Sequence, residues 1–135
     1  LSKEVKEKEK PYRGFTEDAK HYYIGNDNFE INTKVSGTIL VEWKNELRQI
    51  VEKTPTEKLI IIQDRQEKLA RTILGKALVD FDYDKMLEKC HPKELEGVAG
   101  NLYTFLYETG SEREQSLLIK SLVETKGNLA KTQSS

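Results

Sequence analysis

Asp80, Asp82 and Asp84 stand at alternate positions, the spacing of the first three ligands in a calcium-binding EF-hand loop, where carboxylates converge on a hard cation. The rest of that loop is not followed. Lys85 occupies the position that needs Gly, and His91 the position that needs a bidentate Glu. The expected role of Asp80 or Asp82 is therefore to cap a short helix. Cys90 and His91 place a thiol beside an imidazole, but neighbours on a helix project about 100° apart and seldom meet productively. Cys90 is expected in the core and His91 in the turn before Pro92. His21 is the only other histidine, and no second cysteine could complete a zinc site with it. No Gly-rich phosphate loop, GxSxG elbow or HExxH helix is present. The expectation is a non-enzymatic protein, with no catalytic residue, cofactor or metal.

The elements that position these residues announce themselves by helix punctuation. Ser36 precedes Ile39, Leu40, Trp43, Leu47, Ile50 and Val51, whose spacing puts them on one helical face. Thr54-Pro55-Thr56-Glu57 reads as a stop followed by a start, with Thr54 capping, Pro55 at the first helical position and Glu57 completing a capping box. The second helix then carries Leu59 to Ile62, Leu69, Ala70, Ile73, Leu74, Ala77 and Leu78. A short strand is the alternative for Leu59 to Ile62, because β-branched side chains favour pleated surfaces. The absence of a turn residue before Leu69 favours helix.

A short helix with Met86, Leu87 and Cys90 follows, and Pro92 opens another with Leu95, Val98, Ala99, Leu102, Phe105 and Leu106. Gly110 reads as a stop, and Ser111 with Glu114 as a further capping box before Leu117, Leu118, Leu122 and Val123. The fold class expected is mainly α, a four- to five-helix bundle over roughly residues 36–126, with an N-terminal arm and a β-hairpin. In domain terms, residues 1–20 are a polar arm, 21–35 the hairpin, 36–128 the helices and 129–135 a tail.

Within the amino-terminal region, Ser2 to Lys10 alternates Lys and Glu and offers almost nothing to bury. Tyr22-Tyr23-Ile24, then Gly25 to Asn28, then Phe29, Ile31, Thr33 and Val35 at period two read as two strands around a four-residue loop. An isolated pair of strands is marginal in water, so the hairpin must lie on the helices or on a partner. Its candidate interaction residues are Tyr22, Tyr23, Phe29, Ile31 and Val35. Tyr103 and Tyr107, four apart and partly off the Leu102–Leu106 line, are candidates for an aromatic strip suited to protein recognition.

At 135 residues with a formal net charge of −1, the chain is not a strong sequence-independent nucleic-acid binder. The charge is mildly polarised. Residues 36–79 hold eight basic and six acidic groups, and residues 80–110 three basic and seven acidic. The nucleic-acid candidates are Lys58, Arg65, Lys68, Arg71 and Lys76 on the second helix. No apolar stretch approaches the roughly 20 residues of a membrane span, and no signal-peptide pattern opens the chain. With Cys90 as the single cysteine, the expected setting is a reducing one, intracellular and cytoplasmic.

Leu118-Ile119-Lys120-Ser121-Leu122-Val123-Glu124-Thr125-Lys126-Gly127-Asn128 is similar to the first helix and turn of Fis-type helix-turn-helix domains, found at the end of many bacterial transcription activators. The resemblance extends over about fifteen residues, to Thr132, and the sequence departs from it at Gln133, before any recognition helix. It implies a truncated Fis-like C-terminus without the DNA-reading part, so direct DNA binding does not carry over; together with the basic face of the second helix it supports the alternative expectation, a nucleic-acid-associated transcription regulator. The favoured expectation is a helical protein-protein interaction module, an adaptor, accessory or assembly subunit that binds a protein partner or forms a homo-oligomer.

Overall fold

The side-chain oxygen of Ser36 accepts the amide of Ile39 at 3.3 Å, and from this cap helix α1 runs Gly37–Lys53. It ends where Thr54 returns its hydroxyl to the Ile50 carbonyl at 2.6 Å and Pro55 can donate no further backbone bond. Because Thr54 closes α1, it does not cap the next helix. Helix α2 begins later than the capping-box reading implies, at Leu59–Ala77 with Lys58 as an N-cap that makes no side-chain bond. Leu59 to Ile62 is helical, which settles the strand alternative. Asp82 accepts the Lys85 amide and starts the short α3, Tyr83–Leu87. Helix α4 spans Pro92–Thr109. His91 caps it with an imidazole: Nδ1 accepts the Lys93 amide, while Glu94 reaches back to the His91 N–H, a reciprocal arrangement of capping-box type.

This computed structural model describes residues 11–109 together with 120 and 121, and within them the protein is mainly helical, with four helices and a small antiparallel sheet. The sheet has order β1-β2-β3, from Arg13–Phe15, His21–Ile24 and Asp27–Glu30. Two features differ from the sequence reading. The turn between β2 and β3 holds two residues, because Gly25 at φ +59° lets pairing resume at once between Ile24 and Asp27. A third strand, β1, lies in the stretch assigned to the arm, pairing Phe15 with Tyr22 and Arg13 with Ile24. After Glu30 the chain leaves β2. Ile31 forms an isolated bridge to Leu78, and Val35 lies outside any strand.

Helices α2 and α4 make the most extensive helix–helix contact, and α1 packs against both. Trp43 and Ile50 of α1, Ile62, Leu69, Ile73 and Leu74 of α2, and Leu95, Val98, Leu102 and Leu106 of α4 share one apolar core. Its inner end is closed by the sheet. Tyr22 and Ile24 point inward from β2, Phe15 lies edge-on to Tyr22 and 4.9 Å from Phe105, and Phe29 lies 5.0 Å from Phe81. Arg13 rests its guanidinium on α4 at Gly97 and donates to the Glu94 carbonyl. A Cβ at Gly97 would stand 2.6 Å from Arg13 Nη2, so the missing side chain is what allows this contact. The Ser111–Glu114 cap, the stripe from Leu117 to Val123, the helix-turn-helix resemblance and the 129–135 tail lie outside the described residues, save that Lys120 and Ser121 are helical and exposed.

Candidate interaction site

The residues with chemical potential are occupied by structure. Asp82 caps α3, and Asp84 pairs with Arg71 at 2.8 Å, a hydrogen-bonded contact that holds its carboxyl below the usual range. Among the described residues no group of three His, Cys, Asp or Glu side chains is placed to hold a metal ion. Cys90 is buried, with the Tyr12 hydroxyl 3.9 Å from its Sγ; that contact pushes the Tyr12 phenol above its ordinary pKa. The His91 ring is turned away to cap α4.

The strands do not present the surface expected of them. Tyr22 and Ile31 are core residues, and Phe29 and Val35 are half-buried against the core. Tyr23 lies on the outer face, across from Gly14 and Asn28. The β3 edge is already used at Glu30, whose carbonyl accepts the Val79 amide at 2.9 Å. Tyr103 and Tyr107 do form a pair, with ring centroids 5.6 Å apart, and Lys44 Nζ donates to the Tyr107 hydroxyl at 3.2 Å. Tyr107 is exposed while Tyr103 is half-buried, and burial, then the neighbouring Tyr107, raises the Tyr103 pKa.

The basic candidates divide into two paired arginines and three exposed lysines. Arg65 binds Glu46 at 2.8 Å and also Gln49, and Arg71 is held by Asp84 and Glu67 with its guanidinium 4.5 Å from the Tyr83 ring centroid. Lys58, Lys68 and Lys76 are exposed. Lys58 and Lys76 lie at the same angle around α2, with Lys68 about 80° from both at roughly 100° per residue.

Among the described residues, the most exposed large apolar side chains lie elsewhere, where α1 hands over to α2. Val51 is 70% exposed, Leu59 71%, Ile60 66% and Ile61 41%, although the sequence pattern places all four among the apolar residues of their helices. Val51 also lines an apolar groove of about 230 Å³ between α1, α2 and α4, with Leu47, Ile50, Leu69, Ala70 and Ala99. A single helical wheel could not reveal the tip. Its signal was the run Leu59-Ile60-Ile61-Ile62, which covers more of the helix circumference than one neighbouring face can bury, so some of it must stay in water.

Comparison of the chain with family models, curated proteins and solved structures gave no match.

Proposed function

We propose that this chain is a non-enzymatic protein-protein interaction module, an adaptor or assembly subunit that docks through the tip of the α1–α2 hairpin and the groove beside it. The observation carrying this reading is the exposure of Val51, Leu59, Ile60 and Ile61 at the junction of α1 and α2, three of them more than 60% exposed. A single exposed apolar residue is ordinary; several large ones within one short stretch of chain support an interaction surface there. Tyr103, Tyr107 and Lys44 add an aromatic and cationic flank along the α1–α4 seam. The lone buried thiol of Cys90 supports an intracellular, reducing setting, and no described helix is long and apolar enough to cross a membrane. A nucleic-acid regulator has weaker support, because Arg65 and Arg71 are engaged in ion pairs.

Affinity capture with the full chain and with a Leu59→Ser/Ile60→Ser variant tests the reading. The wild type is expected to retain a polypeptide, either another protein or a differently tagged copy of itself, that the equally folded variant loses. Identical capture by the two chains would reject the tip as the docking surface.

A further inference from the structure

We propose that the seam between α1 and α4 is a binding site for an amphipathic helix of a partner protein, one that carries a large apolar side chain and, two turns away on the same face, a carboxylate. The inference rests on the interaction-module reading and names the chemistry of what the module takes. Placement, shape and charge carry it in turn.

The seam is a continuous surface fixed by contacts. On α1, Lys44, Leu47, Arg48 and Val51 fall within about 100° of the helix circumference, and on α4 Ala99, Gly100, Tyr103 and Tyr107 do the same. The two faces meet antiparallel. Lys44 Nζ lies 3.2 Å from the Tyr107 hydroxyl and 5.3 Å from its ring centroid, while Leu47 and Val51, one and two turns further along α1, share the apolar groove with Ala99 and Gly100. Lys44 to Val51 and Gly100 to Tyr107 are the same step along their helices, about 10 Å or two turns.

The two ends of the seam differ in chemistry. At the groove end the walls are low: Ala70, Ala99 and Gly100 line it, and a Cβ at Gly100 would meet no described atom within 4 Å. Small side chains let a second helix approach closely, and the groove of about 230 Å³ receives an apolar anchor from it. Glu96 is the one charged residue among the described lining of that groove, and it is already bonded by Lys93, which also reaches Gln66. At the other end the excess is basic. Burial, then Tyr107, raises the Tyr103 pKa; of the fixed charges acting on that phenol, Lys44 and Arg48 each outweigh the opposing Glu108, so the field there is positive. Two cations beside two tyrosine hydroxyls are the complement of a carboxylate. A helix lying along the seam with an apolar residue over the groove brings the residue seven positions away, on the same face, over Lys44 and Arg48.

Selection from a displayed library of peptides about 16 residues long, ~24 Å as a helix, against the full chain tests this. The expected consensus is a large apolar residue with Asp or Glu seven positions away. By fluorescence anisotropy, the enriched peptide should bind about tenfold more weakly, or worse, to Lys44→Glu/Arg48→Glu and to Gly100→Leu, which fills the groove. A peptide with Lys in place of its acid should prefer Lys44→Glu/Arg48→Glu to the wild type, a rescue that a misfolded variant cannot give. Unchanged Trp43 fluorescence and far-ultraviolet helicity will establish that the Gly100→Leu fold is intact. No enrichment, a consensus lacking the acid, affinities indifferent to the seam variants, or a single-stranded oligonucleotide bound more tightly than the peptide would overturn the proposal. If it falls while capture of a partner is still lost with Leu59→Ser/Ile60→Ser, the module reading survives and only the seam's occupant is rejected. If the peptide binds as expected while that variant captures as the wild type does, the seam stands and the tip is rejected.

Discussion

Asn101 Nδ2 donates a hydrogen bond to the Tyr22 hydroxyl at 3.1 Å, joining strand β2 to helix α4 across 79 positions of the chain. Tyr22 has no solvent exposure, so its ring lies in the core while its polar end meets the one kind of group that spares it a desolvation cost. The sheet is thereby an integral wall of the fold.

Tyr22 therefore divides into two measurable parts. Tyr22→Phe removes the hydroxyl and should cost about 1 kcal/mol, whereas Tyr22→Ala also empties the ring site and should cost about 3 to 5 kcal/mol. Chemical denaturation followed by far-ultraviolet circular dichroism reads both. Equal midpoints for wild type and Tyr22→Ala would mean that the strands contribute nothing to the core.

Trp43 is buried between α1 and α2, and Trp43→Ala should likewise lower stability by about 3 to 5 kcal/mol. The denaturant midpoint is again the measurement. An unchanged value would place this ring at an interface instead.

Gly97 and Arg13 should be energetically coupled. In the wild type, Gly97→Ala drives Cβ into the guanidinium and dislodges it from the Glu94 carbonyl, offsetting the gain in helix propensity. In an Arg13→Ala background the same change meets no obstruction and should stabilise by about 0.5 to 1 kcal/mol. A double-mutant cycle with no coupling beyond experimental error would contradict the contact.

Tyr83 carries a buried hydroxyl with no hydrogen-bond partner, while its ring lies under Arg71. Tyr83→Phe keeps the ring contact and removes the unsatisfied group, so stability at neutral pH should hold or rise by up to about 1 kcal/mol. Burial, and secondarily the charge of Glu67, raises the Tyr83 pKa. A folded value above the unfolded one means a contribution fully present below about pH 10 and lost as pH climbs through the folded value. Denaturant midpoints followed into base should accordingly fall less steeply for Tyr83→Phe than for wild type; parallel curves would show that Tyr83 does not titrate with unfolding.

The helices were legible in the sequence because their causes are local. Ser36 capping Ile39, Asp82 capping Lys85 and Pro92 at the head of α4 each act within one helical turn, so a short window contains cause and effect. The buried members of each stripe, Trp43 and Ile50 or Leu95 and Leu102, follow from the same periodicity. Even locally, competition misled: Thr54 has one hydroxyl, and its bond to Ile50 ended α1 where a cap for α2 was expected.

What the tertiary structure alone decided is which faces find a neighbour. Three-residue β1 has no recognisable pattern of its own and exists because β2 lies beside it and Phe105 beneath Phe15. Tyr22 became core because α4 supplied Asn101 and an apolar surface, and Ile60 became surface because none of the described elements covers it at the junction of α1 and α2. Hydrophobicity states that a side chain prefers to leave water; only the packing of distant segments determines whether a place exists for it to go.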